Sequence, residues 1–193
     1  MRRLFLVCVC VGLTTLIATT AVSAQPVPAG RKVGFAEYLK MGYNGLKTNL
    51  TAAAERMPDA DYGFKIGPMP EVRTYGQIFA HVAESQSDIC AAIKGAPRAH
   101  AQKLDETLKT KAEIVKALAA SFAACDELFA SLTDESAVEM VKRGEGEIAR
   151  SALLVGLLAH DAEMYGISTV YLRAKGLVPP STERQQQRRA AGH

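Results

Sequence analysis

The chain has no tryptophan, and Phe, Tyr and Trp together make up only 6% of its 193 residues. That scarcity, beside abundant Ala, Leu, Lys and Glu, favours an all-helical fold over a sheet-built one. Charge of one sign is also lacking. The formal net charge is +3, and setting aside Arg2 and Arg3 leaves 3 − 2 = +1, which gives no electrostatic case for binding nucleic acid. No G-x-G-x-x-G, P-loop, G-x-S-x-G or C-x-x-C occurs, and no repeat of solenoid period. Dinucleotide, mononucleotide and nucleophile-elbow chemistry are therefore without a sequence basis. Beyond residue 24 no apolar run is long enough to span a bilayer.

What is present begins with the signature of an export signal. Arg2 and Arg3 form a basic start, Leu4 to Ala21 is apolar but broken by four threonines, and Val22-Ser23-Ala24 supplies small residues before Gln25. Residues 1–24 are therefore expected to be a cleaved signal peptide, leaving a periplasmic or secreted chain. Residues 25–32 read as a disordered lead, 33–178 as one helical domain, and 179–193 as a mobile tail without apolar period.

Four amphipathic stripes are expected. The first helix runs over 35–57, with Phe35, Leu39, Tyr43, Leu46 and Leu50 three or four apart, and Pro58 ends it. A long loop, 58–73, offers Tyr62, Phe64, Ile66 and Met69 as apolar cover for one end of the domain. The second helix opens at Thr74, with Gln77 three residues on as a capping box, and carries Ile78, Val82, Ile89 and Ile93. His81 lies on its flank, about 60° from the leading edge of that face. The third runs over 105–132 with Cys125 facing inward. Residues 133–147 read as a second loop, and a fourth helix is predicted over 148–175, closed by Gly176 and two prolines.

On that last helix Leu153, Leu157, His160, Met164, Ile167 and Tyr171 share a face, so an imidazole interrupts a core stripe. His160 and Met164 are one turn apart, the spacing that presents two groups to one metal ion. The plain alternative is a core histidine beside a gap-filling methionine. Cys90 and Cys125, an even pair, suggest a disulfide in an oxidising compartment. In an antiparallel helix pair they would lie at opposite ends, and in a parallel pair at similar height. Two small buried thiols is the other reading.

The wording HDAEMYGISTVYLRAKGLVPP resembles the last helix of the DinB/YfiT-like superfamily of helical-bundle proteins with a three-histidine metal site. His160 matches the first histidine of its H-x-x-x-H, Gly166 the glycine, and Tyr171-Leu172-Arg173 with Gly176, Pro179 and Pro180 the end. His81 fits the histidine from the second helix. Met164 stands where the third belongs, and Ile167 where Gln or Asn is usual. The resemblance implies a four-helix bundle running up-down-down-up with helices two and three parallel, and hence a Cys90–Cys125 bridge closing about 35 residues.

Some members of that superfamily are metal-dependent thiol S-transferases, while others have no assigned activity. A full site would hold Zn²⁺ or Ni²⁺ and acidify a bound water or thiol. Here three outcomes are open. Glu163 or Asp161 could replace the missing ligand and sustain a divalent-metal-dependent hydrolase or transferase. His81, His160 and Met164 could hold copper, for which a thioether is the better ligand. Or the site holds no metal, and the bundle is a binding, structural or activity-less homologue. A small molecule in the old pocket, or assembly as a homodimer, would then be its partnership.

Overall fold

In the computed structural model, residues 27, 29–97, 99 and 103–192 are described. The expected signal peptide lies outside them, as do His100 and His193. Chain order is α1 (Phe35–Arg56), a 3-10 turn (Asp59–Asp61), α2 (Tyr75–Ile93), α3 (Leu104–Thr107), α4 (Lys111–Ala130), α5 (Asp134–Ala137), β1 (Met140–Arg143), β2 (Gly146–Ala149), α6 (Arg150–Ala174) and α7 (Pro180–Ala190). The fold is mostly helical, as composition requires, with one antiparallel hairpin added.

The helix ends follow local chemistry. Met57, restricted by the proline after it, turns extended and stops α1. Thr74 accepts from the Gln77 amide at 3.3 Å while Gln77 Oε1 accepts from the Thr74 amide at 2.9 Å, so the predicted capping box forms. Thr110 and Glu113 make a second box, which went unread in the sequence. It explains a correction. The helix expected over 105–132 is two helices, because Leu108 and Thr110 adopt extended backbone and a new N-terminus is capped there.

Pairwise registers give the packing directions. Lys40 Nζ donates to the Ala130 carbonyl and Lys111 Nζ to the Glu55 carbonyl, so α1 and α4 run oppositely. Tyr171 lies against Tyr75 while His160 lies against His81, so α2 and α6 do too. Cys90 joins Cys125 near the ends of α2 and α4, and Gly76 meets Ile114 near their starts. Those two helices therefore run in the same sense, and the bridge forms with 5.6 Å between the α-carbons. No side chain fits at Gly76, since a Cβ there would lie 2.8 Å from the Tyr62 ring and 3.0 Å from Ile114.

The core is a single cluster drawn from α1, α2, α4 and α6. Tyr43 anchors it, stacked on Phe129 at 3.9 Å between ring centres. Its hydroxyl is 2.9 Å from both the Phe122 carbonyl and Asp126 Oδ1, so one proton serves two acceptors. Burying one such ring removes enough apolar surface for about 2–3 kcal/mol. Of the loop residues expected to cover one end, Tyr62 is buried and donates to the Ala54 carbonyl, and Phe64 packs edge-on against Tyr171. Ile66 and Met69 are exposed.

Three further expectations need correcting. Residues 133–147 are not a plain loop: α5 is followed by the hairpin, in which Val141 pairs with Ile148 across a turn where Gly144 takes φ +64°. The last long helix consequently starts at Arg150, not at residue 148. The buried face of α6 keeps Leu153, Leu157, Met164 and Tyr171 of the predicted stripe but is wider than it. Ile167 is exposed, whereas Asp161, Tyr165 and Ser168 are buried. An apolar period cannot reveal a face that contains Asp and Ser.

The tail, expected without regular structure, is helical from Pro180 to Ala190. Proline at its first position presets the backbone for a helix. Polar contacts dock it instead of an apolar stripe: Tyr165 Oη donates to Ser181 Oγ at 2.8 Å and accepts from the Ser181 amide at 2.9 Å, and Arg56 pairs with Glu183. Among the described residues no helix is long and apolar enough to cross a membrane.

Candidate functional site

His81 sits in the second turn of α2 and His160 in the middle of α6, at matching heights of two antiparallel helices. Their Nε2 atoms are 3.1 Å apart and the rings meet edge to face, 4.9 Å between centres and 71° between planes. The two imidazoles singled out in the sequence therefore converge. His81 is half-buried. Its pKa is held below the ordinary 6.5 first by that burial, then by the Arg73 charge and by His160, with Asp105 and Glu84 opposing.

Behind His160 lies Asp161, with no exposed surface at all. Its Oδ1 is 3.7 Å from His160 Nδ1. Neither carboxylate oxygen has a hydrogen-bond partner, and neither does the buried Nδ1. Burial pushes the Asp161 carboxyl up from its usual range, with His160 partly offsetting the rise. The fully buried Gln86 on α2 also leaves both side-chain polar atoms without partners. Such orphaned groups are rare in a folded interior and ask for a reason.

The other sequence candidates separate. Met164, one turn on from His160, is buried, as a core methionine would be. Glu163 is exposed and belongs to no cluster with the two histidines. Cys90 and Cys125 are joined to each other, so neither offers a thiolate. Among the described residues no three His, Cys, Asp or Glu side chains gather closely enough to hold a metal ion.

The donor set can be tested against the ion that the wording of α6 implies. At ordinary Zn–N lengths of roughly 2.05 Å, nitrogens this close would occupy neighbouring positions about 100° apart on one ion. The pair alone is compatible with that. The third protein ligand is not: Asp161 adjoins the Nδ1 side of His160 rather than the Nε2 gap, Glu163 is exposed, and a thioether is a poor zinc ligand. The described residues do not make the three-ligand site.

A cleft of about 540 Å³ opens beside His81, lined also by Glu84, Asp88 and Ile89 of α2 and by Arg143 of the hairpin. Glu84 Oε2 already accepts from the Leu104 amide at 2.9 Å. Arg143 was missed in the sequence because the hairpin carrying it was missed. A second, apolar cleft of about 650 Å³ lies between α1 and α6, walled by Tyr38, Met41, Leu46, Val155 and Leu158. It does not include either histidine.

The sequence model of the DinB superfamily matches residues 45–167, a stretch that contains both histidines. Among solved structures, a DinB-like protein from Bacillus cereus ATCC 10987 is similar with a TM-score of 0.60 and 17% identity, over 75% of this chain and 95% of that one. A DinB-like protein from Bacillus subtilis is similar with a TM-score of 0.55 and 18% identity, over 72% and 92%. At such identities the likeness concerns the fold. No curated protein matches the chain.

Proposed function

The chain belongs to the DinB superfamily, and from that premise we propose an exported four-helix bundle, up-down-down-up, whose metal site has been reduced to a histidine pair. Its role is then binding or structural rather than metal-dependent catalysis. One observation carries this reading: His81 and His160 converge at 3.1 Å with no third protein ligand beside them among the described residues. Parallel α2 and α4 joined by a disulfide support the helix order, and the same bridge suits an oxidising compartment. A small molecule would bind in the cleft beside His81, where a half-buried imidazole, two carboxylates and a guanidinium offer both hydrogen-bonding senses.

The test is elemental analysis of the protein purified from cells grown replete in zinc, nickel and copper, repeated on His160→Ala. The proposal expects well under one equivalent of any metal in both. One equivalent that disappears in the variant would instead establish a metalloprotein, with water or substrate completing the coordination. Export is checked by the mass of the protein recovered outside the cytosol, which should begin at Gln25. Recovery of a full-length chain in the cytosol would refute it.

A further inference from the structure

The histidine pair leaves open which ring carries the proton between them. Two Nε2 atoms 3.1 Å apart need one hydrogen in the gap, since two lone pairs or two N–H groups facing each other repel. We infer that Asp161 decides this: it is the positioning residue that accepts a hydrogen bond from His160 Nδ1–H and so keeps the proton there, so that His160 Nε2 accepts and His81 Nε2 donates. This goes beyond the functional reading above and does not depend on it.

The geometry offers few alternatives. Asp161 is fully buried, neither of its oxygens has a partner, and its Oδ1 lies 3.7 Å from the equally orphaned His160 Nδ1. Were His160 protonated on Nε2, its Nδ1 lone pair would face Asp161, and the contact would hold only if the carboxyl kept its own proton, the form that burial favours and His160 opposes. Protonation on Nδ1 turns the same contact into donor and acceptor. A small side-chain rotation that brings 3.7 Å to hydrogen-bond length satisfies Nδ1 and one of the two carboxylate oxygens. A carboxylate behind an imidazole is a general way of fixing its tautomer. The open lone pair of the pair then belongs to His81 Nδ1, on the ring that fronts the cleft.

The experiment is ¹⁵N NMR of the protein labelled at histidine and treated with chelator, with His81→Gln used for assignment. The expected pattern for His160 is a protonated-type shift on Nδ1 and an unprotonated-type shift on Nε2. In Asp161→Asn that pattern should become mixed or reversed, although the variant buries less charge and should fold. A merely structural role for Asp161 would change stability and leave the tautomer alone. Should Asp161→Asn not fold, His81→Gln keeps the question decidable, since Nδ1 should stay protonated there. His160 protonated on Nε2 in the unaltered protein, retention of its pattern in Asp161→Asn, or a switch in His81→Gln would each overturn the assignment.

Discussion

Replacing both bridged cysteines, Cys90→Ala with Cys125→Ala, should lower stability by about 4 kcal/mol. The figure follows from the 35-residue separation, for which the chain-entropy relation gives roughly 13 cal/mol/K, or about 4 kcal/mol at 25 °C. For a domain of this size that corresponds to a fall in Tm of roughly 8–16 °C. Cys90 and Cys125 are 1% and 0% exposed, so reductant reaches the bridge only when the fold opens, and substitution is the cleaner perturbation. Thermal unfolding of the two single variants and the double variant then gives a cycle. If the bridge exists, either single change removes the whole constraint and the second adds only a small packing loss. Single costs that sum to the double cost, or two titratable thiols per unfolded, unreduced chain lacking residues 1–24 (and so Cys8 and Cys10), would refute the argument.

Other consequences follow from particular contacts. Tyr43→Phe removes the hydroxyl shared by the Phe122 carbonyl and Asp126 and should cost about 1–2 kcal/mol in urea unfolding, with the ring stacking intact; no loss would mean the contact is spurious. Tyr165→Phe severs both bonds to Ser181, so hydrogen exchange should accelerate across 180–190 while the long helices stay protected. His81 governs part of the acid response. Its folded pKa is depressed below 6.5, so the unfolded chain takes up the proton first as pH falls. The associated stability is complete above that value and is lost as pH drops through the folded one. His81→Gln should flatten the fall in unfolding midpoint as pH drops below about 6.5; an unchanged slope would show that His81 titrates alike in both states.

The long helices were legible because each buries an apolar stripe at helical spacing, and α2 announces its own start through Thr74 and Gln77. The meeting of His81 and His160 was legible only through the wording of α6, since a lone histidine on each of two helices gives no reason to pair them. Periodicity failed where polar groups were buried. Asp161 and Ser168 face inward and Ile167 outward, so the stripe that identified α6 found Leu153, Leu157, Met164 and Tyr171 but missed the polar part of its buried face. It failed again at α7, which docks through hydroxyls and an ion pair and therefore shows no apolar period. The hairpin escaped because four-residue strands with one half-buried pair, Val141 and Ile148, barely alternate. Arg143 and the cleft beside His81 escaped with it.

The claim that the site lacks a third ligand at position 164 is tested most directly by calorimetric titration of Zn²⁺ into the protein and into Met164→His. The account predicts weak or no binding to the natural sequence. The variant should take up one equivalent with affinity greater by roughly tenfold or more, that is about 1.4 kcal/mol or more. Equally tight one-to-one binding by both proteins would contradict it.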